Sequence, residues 1–387
     1  MPDRIYLDNA ATSFPKPATV YDAVDHYQRK LGVAVGRGAY AQAMEVQAVV
    51  SRCRKKAADL LHAESPERIV FTFNGTDSLN VAIHGILRPG DHVVTSIVEH
   101  NSVVRPLSEL KSRYGVEVTT VAADATGLVN PGDVKSAMQP NTRLVAMIHA
   151  SNVVGTVQPV QEIADIVRKT DALMLVDAAQ SAGHLPIDVS QFSVDLLACP
   201  GHKGLLGPLG TGLLYVRPGL ERQLASFRQG GTGSNSEDDA QPGFLPDRYE
   251  SGNHNAPGLF GLEAGLEYVL NRGVDSLRDH ERELTAQLLE GLSGIGGLKT
   301  YGPLRVEDRL GVVSLNVEGF EPQILAGILD ENFGVQARAG LHCAPGAHRC
   351  VGTFDSGGAV RLSVGPFTTG GNVDSATRAL RAIAGAG

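Results

Sequence analysis

Between Arg68 and Val216, short apolar runs rich in β-branched residues alternate with longer stretches whose apolar positions recur at helical spacing. The runs "RIVFTF", "DHVVTSI", "VEVTTVA", "RLVAMIHA", "ALMLVDAA", "VDLLACP" and "GTGLLYV" read as strands, and "GTDSLNVAIHGIL", "SVVRPLSELKSRY" and "VQEIADIVRKT" as the helices between them. Strand and helix in alternation predict an α/β fold with a mostly parallel central sheet and helices on both faces. Ligands of such sheets sit at the carboxyl ends of the strands. Two consecutive segments, "QGGTGSNSEDDAQ" and "PDRYESGNHNAPG", are polar, glycine-rich and punctuated by proline, and predict a long surface loop. Beyond Pro257 two helix-period stretches, "GLFGLEAGLEYVLNRG" and "DSLRDHERELTAQLLEGL", lead into strands near "GVVSLNV" and "AVRLSV". This is the pattern of a second, smaller α/β domain.

Composition narrows the function classes. The 387 residues are 42% hydrophobic and 20% charged, the balance of a folded globular protein with a sizeable core. A net charge of -8 with no dense Lys/Arg run argues against nucleic acid as a partner. The opening "MPDRIYLDNAATS" lacks a secretion-signal pattern, and no apolar run is long enough to span a bilayer, so a cytoplasmic location with no membrane contact is expected. Cys53, Cys199, Cys343 and Cys350 have no zinc-finger spacing and are expected as reduced thiols.

The polar residues that follow the strands carry the chemistry. Gly75, Thr76 and Asp77 open a helix where free N–H groups favour a phosphate. His100, Asn152, Asp177 with Gln180, and Lys203 preceded by His202 follow four further strands. One amine, one strand-terminal carboxylate, a stacking ring, amide donors and a phosphate-ready helix start together fit an anionic, planar, nitrogen-containing cofactor, pyridoxal 5'-phosphate (PLP). Lys203 is then the Schiff-base lysine and Asp177 the partner of the pyridine nitrogen. His100 stacks on the ring, Gln180 and Asn152 bond its phenolic oxygen or the substrate, and Thr76 with His202 holds the phosphate. Small residues around Lys203 allow close backbone approach. The glycines Gly207, Gly210 and Gly212 precede a strand instead of a helix, which excludes a dinucleotide fingerprint, and no P-loop motif occurs.

The motifs "YLDNAAT", "SIVEHNS", "SNVVGT", "VDAAQSAGH", "GHKGLLGP", "RYESGN", "RAGLHCAP" and "AVRLSVGPFTT" occur in the order found in class V aminotransferases, and within them in cysteine desulfurases. The sequence resembles that family over nearly its whole length. The resemblance implies a fold-type I PLP-dependent transferase, with a large cofactor-binding domain over residues 17–257 and a small domain made of 1–16 and 258–387. It implies the roles just given for Lys203, His202, His100, Asp177, Gln180 and Asn152. It adds Arg361 as the clamp on the substrate carboxylate, Cys343 as the nucleophile that takes sulfur, and Arg338 near the substrate or its entry. It further implies a homodimer in which Asn253 reaches the partner's phosphate, L-cysteine as substrate, and a sulfur-acceptor protein as partner.

Three positions depart from the family pattern. Pro200 stands where relatives carry a hydroxyl for the phosphate, Asn253 where they carry threonine, and Leu341-His342 where they carry two histidines. Cys350 has no counterpart and reads as structural or incidental. The expected activity is a desulfurase that releases L-alanine and leaves a persulfide on Cys343. The alternatives on the same scaffold are a selenocysteine lyase, another C–S lyase, an aminotransferase or a non-catalytic PLP-binding protein.

Overall fold

The computed structural model describes residues 4–36 and 38–385. Its large sheet runs in the order β2 (Ile69–Thr72), β8 (Gly212–Val216), β7 (Leu196–Pro200), β6 (Leu173–Asp177), β5 (Thr142–Ile148), β3 (His92–Ser96) and β4 (Glu117–Val121). The pairs β3–β4, β3–β5, β5–β6 and β6–β7 are parallel, whereas β8 runs antiparallel to both β7 and β2. No crossover helix intervenes between β7 and β8, so the chain turns back directly, and that return segment contains Lys203. Reversing twice across β8 leaves β2 in the same direction as β7. The carboxyl ends of β2, β3, β5, β6 and β7 therefore share one edge.

Alternation along these strands divides two cores. Phe71, Val145, Met174, Val176, Leu197 and Leu213 face one side, and Val70, Leu144, Ala146, Leu175, Ala198 and Leu214 the other. The first side is covered by α2 (Ala41–Leu61), α6 (Val160–Val167) and α7 (Ala256–Arg272), the second by α3 (Gly75–Ile86) and α4 (Asn101–Tyr114). Strands buried on both faces are why the runs in this stretch read as near-continuous apolar segments. The short α5 (Pro131–Ala137) sits between β4 and β5, and α1 (Ala18–His26) packs on α7. Neither α1 nor α2 was part of the sequence pattern that begins at Arg68.

A separate four-stranded sheet has the order β12 (Arg338–Gly340), β13 (Ala359–Ser363), β10 (Val312–Val317) and β9 (Leu298–Tyr301), all antiparallel. Its core gathers Val313, Leu315, Val360 and Leu362 with side chains of α8 (Val274–Leu292), α9 (Pro322–Phe333) and α11 (Gly370–Ala384). The N-terminal β1 (Ile5–Tyr6) pairs with β11 (Val335–Gln336), so the first residues join this second unit. The short α10 (Pro345–Val351) lies between β12 and β13. No helix among the described residues is long and apolar enough to cross a membrane.

The segment from Ser226 to Asn255 has no regular helix or strand, as its composition predicts, and one buried carboxylate ties its end to the sheet. Glu250 accepts the Phe71 N–H (2.6 Å), both Arg54 nitrogens (2.6 and 2.8 Å) and His254 Nε2 (2.7 Å). Burial alone would raise the pKa of Glu250, but Arg54 and His254 overcome it and hold the carboxyl at about 2. A folded-state pKa below the ordinary 4.5 stabilises the fold at pH above that value, and this contribution is lost as pH falls toward 2. Its size is about 3 kcal/mol at neutral pH. Glu250→Gln is therefore expected to lower the melting midpoint by several degrees at pH 7, with the gap to the parent narrowing at pH 3. Equal gaps at both pH values would contradict the pairing.

Candidate active site

The shared edge of the large sheet opens into a cavity of about 210 Å³ that is closed by Arg338 and Arg361 of the small sheet and by His342 in the turn after β12. Lys203 enters it from a segment closed on itself. Gly201 N–H donates to Thr211 O, Gly207 N–H to Gly201 O and Leu206 N–H to Lys203 O, each at 2.8 Å. A Cβ at Gly204 would collide with the Ala182 carbonyl, and one at Gly201 with the Thr211 hydroxyl. Glycine is thus required for the close approach of this loop to its neighbours. Loss of water lowers the Lys203 pKa to about 8, with Arg361 and Arg338 adding to the effect and Asp177 opposing it.

Asp177 ends β6, 2% exposed, and its Oδ1 accepts the Ala179 N–H at 2.9 Å. Burial pushes its carboxyl up, against the pull of that hydrogen bond and of Lys203. Gln180 lies three residues on and donates Nε2–H to Ala10 O at 3.0 Å. His100 is the N-cap of α4, where its Nδ1 accepts the Ser102 N–H at 3.1 Å. The ring proton is therefore on Nε2. Burial, then Lys203 and Arg338, lower the His100 pKa to about 4, so the ring is neutral.

Gly75 and Thr76 begin α3, whose first N–H groups have no intrahelical acceptor. Thr76 Oγ1 lies 2.7 Å from Ser102 Oγ, linking the starts of α3 and α4. Pro200 packs its ring against Gly75, where a Cβ would stand 3.1 Å from the proline Cδ. Asp77 does not line the cavity; its Oδ2 accepts the Phe73 N–H (2.9 Å) and pairs with Arg228 (3.2 Å). Asn74 lines the cavity in its stead and caps α3 by accepting the Asp77 N–H. His202 has its Nδ1 buried without a partner, and burial holds its pKa at about 4.

Asn152 follows β5 and bridges the two sheets. Its Nδ2 donates to His342 O (2.7 Å), its backbone carbonyl accepts Arg361 Nη1–H (2.9 Å), and its Oδ1 is buried without a partner. Arg361 is fully buried on β13, with Nη2 at 2.6 Å from Asp8 Oδ1 and an unpartnered Nε–H. Asn253 is exposed, beside Phe73 and Arg228, and does not line the cavity.

Cys343 is exposed and sits in a four-residue turn closed by Ala344 N–H on Leu341 O (2.9 Å). Both central residues, His342 and Cys343, have positive φ (50° and 57°). A non-glycine residue there costs about 1–2 kcal/mol, which surrounding contacts must offset. Asn152 holds the His342 carbonyl, and the Asn101 N–H holds the Cys343 carbonyl at 2.8 Å. Arg338 Nη2 points at Cys343 Sγ from 3.7 Å. His342 supplies no charge here, because burial and nearby cations lower its pKa to about 2.

The family model "Aminotransferase class-V" matches residues 5–375. The chain belongs to the class-V aminotransferase family. Its similarity to curated members extends over its whole length. It is 37% identical over 390 residues to a probable cysteine desulfurase of Methanothermobacter thermautotrophicus, covering 100% of this chain and 96% of that one. It is 33% identical over 347 residues to a cysteine desulfurase of Escherichia coli, covering 88% and 84%. Among solved structures, a cysteine desulfurase from Thermococcus onnurineus superimposes with a TM-score of 0.92 at 32% identity, covering 99% of this chain and 95% of the other. The fold is accordingly fold-type I.

Reading the motifs left Asp8, Asn74, Ser102 and His348 unassigned. Asn74 carried a signal in its N-x-x-D spacing before a helix, and Asp8 lay inside the quoted "YLDNAAT". In protein prepared without cofactor, an amine-selective reagent should modify Lys203 with a midpoint near pH 8, well below the 10.5 of an ordinary lysine. Lys16, whose amine burial also lowers to about 8, is resolved by peptide mapping. A Lys203 midpoint above pH 10 would mean that the amine is not desolvated.

Proposed function

We propose that the chain is a PLP-dependent cysteine desulfurase, converting L-cysteine to L-alanine with transfer of the sulfur to Cys343. The observation that carries this reading is the pairing of a desolvated lysine and a buried aspartate in one cavity with an exposed cysteine beside Arg338. The names of the relatives support the same activity.

The donor set fits the cofactor. The N–H groups at Gly75 and Thr76 and the partnerless His202 Nδ1 suit a phosphate, and buried Asp177 suits a pyridine N–H. Bound there, PLP supplies an aldehyde that condenses with amines and a protonated ring that stores the electrons of a cleaved bond at the α-carbon. Lys203 would anchor it, His100 would cover the ring, and Gln180 would serve its phenolic oxygen. Pro200 brings no hydroxyl to the phosphate. Asn253 serves the partner subunit of a homodimer in this reading.

With its pKa near 8, Lys203 Nζ takes up and returns the substrate α-proton close to neutral pH. Asp177 would hold a proton on the pyridine nitrogen of the bound cofactor. Arg361 and Asn152 orient the substrate carboxylate, the guanidinium offering the unpartnered Nε–H. The thiolate of Cys343 attacks the substrate sulfur; an S–S bond forms, the C–S bond breaks, and the carbon keeps the electron pair and takes a proton, leaving as alanine. The resulting persulfide requires a thiol acceptor for turnover, which a partner protein supplies.

Cys343→Ala is expected to lose persulfide formation and more than nine-tenths of alanine release while still binding PLP. Cys350→Ala should keep at least half of the activity, because its thiol donates to the Asp124 carbonyl (2.9 Å) and burial raises its pKa. Mass spectrometry of the Cys343 peptide after incubation with cysteine, with alanine measured in parallel, decides the matter; full alanine release by Cys343→Ala would point to a lyase. Asp177→Ala should retain part of its PLP, followed by absorbance, yet turn over on the order of 10³-fold more slowly, since a neutral pyridine is a poor electron acceptor. Near-normal turnover would reduce Asp177 to a turn cap.

A further inference from the structure

The strained turn that presents Cys343 is backed by a buried hydrogen-bonded chain that starts at His342 on the cavity wall and runs away from the cavity through His348 to Thr353. His342 Nε2 faces the Arg338 carbonyl at 3.4 Å, His342 Nδ1 lies 3.0 Å from His348 Nε2, and His348 Nδ1 lies 2.7 Å from Thr353 Oγ1. The two rings stack at 5.2 Å, 26° from parallel. His348 and Thr353 are fully buried and His342 is 3% exposed.

The chain has one consistent direction. A carbonyl only accepts, so the His342 proton is on Nε2 and its Nδ1 is an acceptor. His348 must then donate from Nε2, which leaves its Nδ1 to accept the Thr353 hydroxyl. Thr353 is itself fixed, its N–H on His348 O and its carbonyl receiving the Gly358 N–H, both at 2.9 Å. Both rings are neutral, burial being the main cause. Removing the His348 donor leaves His342 Nδ1 buried and unpaired. Without that partner the ring is free to leave the Arg338 carbonyl, and the hydrogen bond that ties the Cys343 turn back to β12 goes with it.

We propose that His348, oriented by Thr353, is a positioning residue for sulfur transfer: it locks His342 in one tautomer and rotamer and thereby holds Cys343 Sγ against the Arg338 guanidinium. His348 touches neither cofactor nor substrate and acts through His342. The inference rests on the reading of Cys343 as the sulfur-accepting nucleophile. The family's paired histidines are absent at Leu341-His342, and here the second ring comes from α10, six residues after His342.

The test compares His348→Phe, His348→Gln and Thr353→Val in the PLP-loaded enzyme and in protein without added cofactor. His348→Phe keeps an aromatic ring and loses the donor; His348→Gln keeps an N–H near the Nε2 position; Thr353→Val removes only the hydroxyl. For His348→Phe the expected result is at least a tenfold fall in kcat for alanine release with KM within twofold, and at least a fivefold fall in the iodoacetamide alkylation rate of Cys343 at pH 7.5, read by peptide mass spectrometry without any turnover. Thr353→Val should move both readouts in the same direction, and His348→Gln should recover at least half of each. Modification of Lys203 should be unchanged in all three. Alkylation and kcat of His348→Phe within twofold of the parent would overturn the proposal, as would losses matched by altered Lys203 modification or no recovery in His348→Gln, which mark a general packing role. Should His348→Phe be too unstable to purify, Thr353→Val alone decides by the same thresholds. If Cys343→Ala keeps full alanine release, the desulfurase reading fails, while the alkylation arm still judges the positioning role.

Discussion

A guanidinium with no exposure to water must find its hydrogen bonds within the fold, and Arg361 meets this demand by drawing three distant parts of the chain together. It projects from the small sheet, pairs with Asp8 of the N-terminal segment and donates to the carbonyl of Asn152 at the edge of the large sheet. Removing Asp8 or displacing the β5 loop would leave that charge stranded, a penalty of several kcal/mol. The closure of the cavity is therefore fastened by the same group that suits a substrate carboxylate. Binding and assembly share one cation.

Its charge also reinforces what burial does to its neighbours. Together with Arg338 it disfavours protonation of His100 and His342, rings already short of water, and Lys203 adds to this at His100. These histidines are neutral hydrogen-bonding groups, His342 also stacking on His348, and positive charge stays with the groups suited to bind anions. The Arg338 guanidinium stands beside the Cys343 sulfur, and the histidine next to it in sequence adds no charge.

Much of this fold was legible in the chain because strands buried on both faces leave unbroken apolar runs, and because the residues after those runs include the lysine, aspartate, histidine and amides of the cavity. Orientation was less legible. Asp77 and Thr76 are adjacent, yet one side chain is engaged by its own turn and the other joins α4 through Ser102. Nothing in a linear pattern tells which way a short polar side chain turns after a helix start. The helix Ala41–Leu61 escaped notice since its mixed apolar and charged positions lie outside the strand-helix alternation. His348 was hidden for another reason: its significance is a contact across a turn of backbone with φ above zero at two non-glycine positions, a conformation that composition does not announce.

The direct return from β7 to β8 bears on how the lysine works. Both ends of its loop are pinned into adjacent strands, and the loop is cross-linked by its own backbone hydrogen bonds. The conformational freedom that this amine would have to lose in the proposed role has therefore been surrendered largely during folding, before any ligand arrives. What stays adjustable is the four-carbon stem. Its swing defines a small sphere of reachable atoms, so in the proposed reaction the amine meets its target by moving its own stem alone.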